Sequence, residues 1–357
     1  MNLKRRSARG FGAELPNTST LRTRGASNTR LRGVPLLLFL ASCSAHRCDS
    51  NDDVTAARAS WAIPKATVAP LLAPSASSDA ESAHALKQGT EELTWTFDQT
   101  ALGRIDVVIV LPDRRPNERF PLLIALHGRG EAMKGPVRGA RGWVDDYALG
   151  RAIRRLSMPP LTSGDFEEIV DMRRLNSINA MLQSQPYAGL VVLCPYTPDV
   201  LTGERPFERA VPYARFLAET LIPRARRELP VLNSAQATGI DGVSLGGRVS
   251  LLAGLYQPAS FGAIATLQAA FDSSDASRLA ALGSAALKVN PDLKFRFLSS
   301  DGDYFLAANR AIDSAFSQSH IEHEFLVVPG PHDYIFNRGP GAIEMLLYHD
   351  RALRGRP

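Results

Sequence analysis

Ser244 stands in the run Gly242-Val243-Ser244-Leu245-Gly246, and the spacing of small residues around it is the chain's clearest chemical signal. The preceding Ala237-Thr238-Gly239-Ile240-Asp241 reads as a short buried strand, and the following Gly247 to Leu255 reads as a helix. A serine on so sharp a strand-to-helix turn takes a strained backbone conformation. Glycines two positions before and after it keep neighbouring backbone from clashing. The hydroxyl then stands clear of the sheet with the N–H of Leu245 beside it, which is what acyl transfer needs. A glycine-rich turn with no chemical role is the plain alternative, and the rest of the chain decides between them.

A serine hydroxyl becomes a nucleophile only when a base takes its proton and an acid orients that base. Of the seven histidines, His46 and His84 lie in a low-complexity stretch, and His349 falls on the expected surface of a terminal helix. His320 and His323 have a metal-like spacing but span a helix end and a strand start, so they read as solvated. His332, in Val328-Pro329-Gly330-Pro331-His332-Asp333-Tyr334, follows the last expected strand and is the candidate base. Two carboxylates follow the penultimate strand in Ser299-Ser300-Asp301-Gly302-Asp303. Asp303 is preferred as the acid because it stands at the loop-to-helix junction. Asp301 is the alternative, with a turn or N-cap role as its plain reading.

The developing oxyanion needs two donors, and Leu245 supplies one through its backbone. Leu126-His127-Gly128-Arg129-Gly130 follows an earlier strand, and its glycines let main-chain N–H groups turn inward. Arg129 is the expected second donor, through its main chain, while His127 is expected to hold the loop rather than act as a base. Losing one such donor in comparable sites costs roughly 3 kcal/mol of transition-state stabilisation.

These residues must be held by a sheet. Residues 94–97 and 105–110 alternate as two antiparallel edge-type strands would. Continuous apolar runs at 121–126 and 190–194 suit strands buried on both faces, with further strands expected at 236–241, 262–265, 295–298 and 324–328. Helical patterns fall at about 209–228, 246–257, 304–317 and 341–353. Alternating strands and helices give an α/β fold with a mostly parallel sheet, and a ligand should bind at the carboxyl ends of the strands. Residues 131–188 exceed what one crossover helix needs, and Trp143 to Tyr147 and Asp165 to Val170 suggest extra helices there. This insertion either covers the pocket or packs outside it.

From about residue 100 to the C-terminus the chain resembles the esterase D-type branch of the α/β-hydrolase superfamily. The resemblance rests on His127-Gly128, on Gly242 to Gly246, on Asp303, and on Pro329-Gly330-Pro331-His332-Asp333, in that order. It implies an α/β-hydrolase fold and a serine esterase working through Ser244, Asp303 and His332, without metal or organic cofactor. The proline before His332 and the 131–188 insertion depart from the pattern. Amidase, peptidase or acyltransferase chemistry on the same apparatus remains open, as does a non-catalytic binding protein that keeps the fold.

The N-terminal region sets an expected compartment. Arg30-Leu31-Arg32, the apolar Val34 to Leu40 and the small residues Ala41-Ser42 form a signal-peptide pattern too short for a membrane span. Leu40-Ala41-Ser42-Cys43 resembles a bacterial lipobox, which implies lipidation at Cys43 and a membrane-anchored domain in the cell envelope. Ser44 rather than Asp after that cysteine leans towards the outer membrane by analogy. The expected organisation is therefore a signal peptide at 1–42, a flexible Ala/Ser/Pro-rich tether at 43–90 and a catalytic domain at 91–357. The formal charge of +5 belongs to the leader: eight basic residues and only Glu14 precede Cys43, leaving 33 basic and 35 acidic residues. That balance gives no reason to expect nucleic-acid binding. Of the other two cysteines, Cys48 lies in the tether and Cys194 sits in an apolar strand as a small hydrophobe.

Overall fold

The computed structural model describes residues 90–354 apart from Glu204. The leader, Cys43, Cys48 and the expected tether lie outside the described residues, save for Thr90, which opens the first strand. Eight strands form one sheet: β1 (Thr90–Thr100), β2 (Gly103–Pro112), β3 (Leu122–Leu126), β4 (Val191–Pro195), β5 (Thr238–Gly242), β6 (Ala263–Leu267), β7 (Lys294–Gly302) and β8 (Glu324–Pro331). Their order is β1-β2-β4-β3-β5-β6-β7-β8. β2 runs antiparallel to β1 and β4, and every other pairing is parallel. The fold is thus the expected α/β arrangement. Only β1 of the first two strands is an edge; β2 is covered on its other side by β4, because its continuous buried run from Ile105 to Pro112 suits an interior strand.

Successive residues feed opposite faces of the sheet, as a period of two requires. Val107, Ile109, Leu122, Ile124 and Leu126 enter one core cluster, and Val108, Val110, Leu123 and Ala125 enter the other. The first face is covered by α4 (Val211–Arg215), α5 (Ile222–Glu228), α6 (Leu245–Tyr256), α7 (Ala276–Val289) and α8 (Leu306–Gln318); the short α1 (Arg129–Ala132) opens the crossover after β3. The second face is covered by α2 (Leu149–Leu156), α3 (Met172–Ser184) and α9 (Ala342–Ala352). The helix expected at 209–228 is broken by a π turn at Phe216–Leu221, just ahead of Pro223 in α5. Proline has no N–H to give the preceding turn, so the ladder widens there.

The insertion is an integral layer. Its longer α-helices are α2 and α3, after a short one at Gly135–Gly139; of the segments expected to be helical, 143–147 coincides with a π-helical turn at Gly142–Asp146 and 165–170 overlaps a short 3₁₀ helix at Ser163–Phe166. Ala152, Ile153 and Leu156 of α2 and Leu175, Ile178 and Leu182 of α3 share one core with Ile343, Leu346 and Leu347 of α9. Asp171 caps α3 by accepting the N–H groups of Arg173 and Arg174. α7 was not expected from the sequence: its buried face is Ala276, Leu279, Ala280, Gly283 and Ala286, too small to stand out as an apolar stripe. Among the described residues no helix is long and apolar enough to cross a membrane.

Candidate active site

Ser244 takes φ 57° and ψ −114°, the strained turn its flanking glycines foretold. A Cβ on Gly242 would come within 2.5 Å of the Gly246 carbonyl, and one on Gly246 would collide with the carbonyls of Leu126 and His127. The elbow is pinned by main-chain bonds. Ser244 N–H donates to Leu267 O at 2.9 Å, and its carbonyl accepts from Ala270 N–H at 3.0 Å. Every neighbour from Asp241 to Ser250 is buried, while Ser244 itself is partly exposed.

β7 and β8 extend further than their apolar runs suggest, and the register pairs Gly302 with Pro331. Asp303 and His332 are therefore each the next residue beyond one rung of the sheet. His332 Nδ1 donates to Asp303 Oδ1 at 2.7 Å, and both side chains are nearly fully buried. The carboxylate is fixed by two more donors, Ser299 Oγ at 2.6 Å and Phe305 N–H at 2.9 Å. With Nδ1–H committed to Asp303, the Nε2 lone pair is the basic position of the ring. The Tyr304 ring lies against the imidazole, centroids 4.1 Å apart, yet is 70% exposed. Asp301 is exposed and instead accepts Gly330 N–H at 2.9 Å, which fastens the histidine loop. Of the two carboxylates, the structure brings Asp303 to the histidine.

The loop after β3 follows the expectation for His127. Its Nδ1–H donates to Gly128 O at 2.9 Å, and its Nε2 accepts Thr197 N–H at 2.9 Å, so the ring is the neutral Nδ1–H tautomer. Burial pushes its pKa down to about 4, against smaller opposing effects of the Gly128 hydrogen bond and Glu131. C=O and N–H point opposite ways across a trans peptide. Because His127 holds the Gly128 carbonyl, the Arg129 N–H faces away from the imidazole. Arg129 opens α1 and Leu245 opens α6, so each N–H belongs to a first helical turn that offers it no acceptor. The Arg129 guanidinium reaches away to Asp199 at 2.8 Å.

Gln268 was not anticipated. It is fully buried at φ 47°, directly after β6, and its Nε2 donates to Ser300 Oγ at 2.6 Å and to Pro331 O at 2.9 Å. It thereby ties the strand that pins Ser244 to the residue preceding His332. Its sequence signal was slight: a lone polar side chain at the end of an apolar strand.

Two other histidines differ from expectation. His349 is fully buried rather than on the surface, because α9 turns it towards β5, where Nε2 lies 3.2 Å from Asp241 Oδ2. His323 is enclosed by Phe297 and Phe316 and paired with Asp313 at 3.0 Å, while His320 is exposed as expected. Cys194 is buried, and burial raises its thiol pKa.

Residues 204–334, which contain Ser244, Asp303 and His332, match the family described as putative esterase. A comparison with curated protein sequences finds no match. Among solved structures, a ferulic acid esterase superposes with a TM-score of 0.53 at 15% identity, over 74% of this chain and 99% of that one. The fluorophosphonate-binding serine hydrolase FphF of Staphylococcus aureus, with substrate bound, gives 0.52 at 13% identity, over 73% and 99%. At such identities these likenesses speak to the fold. The matched esterase segment, the α/β-hydrolase fold and the Asp303–His332 pair at the carboxyl edge of the sheet that carries Ser244 mark the chain as a serine hydrolase of the carboxylesterase type.

Proposed function

We propose that this chain hydrolyses a carboxylic ester through an acyl-enzyme formed on Ser244. The Asp303–His332 hydrogen bond at the carboxyl end of the sheet that carries Ser244 is the observation that supports this most directly. In the first half-reaction Ser244 Oγ attacks the ester carbonyl carbon while His332 Nε2 takes the hydroxyl proton. Asp303 holds the imidazole and stabilises the imidazolium. The oxyanion accepts from the N–H groups of Leu245 and Arg129. As the tetrahedral species collapses, the C–O bond to the alcohol breaks and the alcohol leaves with the proton from His332. Water then attacks the acyl-enzyme with His332 again as base, releasing the carboxylic acid and free Ser244. Tyr304, exposed beside His332, offers an aromatic wall to a group entering this site. A fluorophosphonate probe should label the wild-type protein and not Ser244→Ala; unchanged labelling of the variant sinks the assignment.

We further propose that the domain is a lipoprotein of a bacterial cell envelope, anchored through Cys43. The lipobox-like Leu40-Ala41-Ser42-Cys43 and the Ala/Ser/Pro-rich stretch after it support this reading. Cys43→Ser should release the protein from the membrane fraction, and a variant still membrane-bound would contradict it.

A further inference from the structure

Beside the oxyanion loop lies a buried carboxylate that the mechanism does not use. Glu131 is 1% exposed and sits two residues after Arg129. Tyr147 OH donates to its Oε2, and Tyr334 OH donates to its Oε1 at 2.7 Å. The same Tyr147 hydroxyl accepts Gly128 N–H at 3.2 Å, so it fixes the peptide just before the one that His127 holds. Tyr334 stands two residues beyond His332. One carboxylate thus joins three segments: the loop carrying the Arg129 N–H, the start of the insertion, and the loop carrying the base.

A negative charge here opposes the oxyanion that forms nearby, so it needs another reason to be kept. Two hydroxyl donors and Lys134, whose Nζ lies 3.5 Å from Oε1 and 2.7 Å from Asp146, offset its burial. The backbone packs closely around it. A Cβ on Gly142 would come within 2.6 Å of Glu131 Cγ, and one on Gly139 within 2.6 Å of Glu131 O. A Cβ on Gly130 would come within 3.1 Å of Tyr334 OH. Oxyanion donors act only when already aimed at the position the oxygen will take, which calls for such rigidity.

We propose that Glu131, through Tyr147 and Tyr334, is a positioning residue that locks the oxyanion loop to the histidine loop. This rests on the assignment of Ser244 as nucleophile, and it adds the insertion to the catalytic framework. The test compares Tyr147→Phe, Tyr334→Phe and Glu131→Gln with wild type in kcat and KM on a short-chain acyl ester, fluorophosphonate inactivation rate, and thermal midpoint. Tyr334→Phe removes one hydroxyl from a partly exposed ring and is the variant best placed to stay folded. It should lower kcat and the inactivation rate together by about tenfold, with KM within about twofold. Combining it with Glu131→Gln should add little to the larger single loss, because both cut one link. If folded Tyr334→Phe and Glu131→Gln keep kcat and inactivation rate within about twofold of wild type, or change KM alone, the inference is overturned. A wild type that reacts with neither ester nor probe instead overturns the nucleophile assignment beneath it.

Discussion

The backbone strain at Ser244 can be measured by removing the hydroxyl in two ways. Ser244→Ala and Ser244→Gly both lack the hydroxyl, but only alanine keeps the Cβ that makes φ 57°, ψ −114° unfavourable. Such a residue stores about 1–3 kcal/mol, held in place by its surroundings. Here those are the hydrogen bonds to Leu267 and Ala270 and the close approach of Gly246 to Leu126. Glycine relieves the strain but loses about 0.4–1 kcal/mol through the greater freedom of the unfolded chain. Ser244→Gly should therefore exceed Ser244→Ala in stability by about 1 kcal/mol, or roughly 2–4 °C in midpoint for a domain of this size. Urea titration followed by tryptophan fluorescence, with equal slopes for the two variants, gives the difference. A glycine variant equal to or less stable than the alanine one would refute the argument that the elbow is strained.

Three further outcomes follow from the geometry. Asp303→Asn should lower kcat by about 10⁴-fold, as loss of the orienting charge does in comparable triads, while Asp301→Asn should cost far less, and steady-state kinetics on one ester separates them. His127 has a pKa of about 4 in the fold against 6.5 as its ordinary value, so its contribution to stability is complete above about pH 6.5 and is lost as pH falls towards 4. The loss is on the order of 3 kcal/mol, and His127→Gln should flatten the dependence of unfolding free energy on pH in that window by close to one proton. Glu344 is buried, which alone would raise its pKa, but Arg296 at 2.7 Å and Arg174 at 2.6 Å outweigh that and hold it below the usual value. Glu344→Gln leaves buried Arg296 with only the exposed Glu324 as its carboxylate partner and should destabilise by about 3 kcal/mol with specific activity per folded molecule unchanged, read by urea titration and active-site counting. The arginines sit at the other end of the sheet: Arg296 lies near the start of β7, whereas Asp303 follows its end.

Ser244, Asp303 and His332 could be singled out because each follows a strand whose apolar run is local. The direction of a parallel sheet then brings Ser244, Asp303 and His332 to one edge. The role of His127 followed from the same reasoning, since a loop that must point N–H groups inward needs something to hold its carbonyls. What escaped depends on contacts distant in sequence or on weak contrast. Glu131 meets Tyr334 across 203 positions, and no local pattern announces it. His349 shares a helix face with Leu346 and Leu353, but a histidine reads as polar until Asp241 is seen beneath it. α7 hides its buried face in alanine and glycine. The insertion's longer helices escaped because the expected segments hold only short helical turns, anchored by the buried Trp143 and Phe166, that precede them.

The pairing of Gly302 with Pro331 has a consequence for how this site tolerates change. Neighbouring strands are held about 4.8 Å apart by the backbone ladder itself. Asp303 and His332 leave that ladder at the same level, so their separation is inherited from the sheet. Beyond Phe305, whose N–H holds the Asp303 carboxylate, the connection through α8 to β8 can lengthen, shorten or be rebuilt without moving the two groups relative to each other. Exposed residues of that connection are thus free to diversify while the Asp303–His332 pair stays fixed.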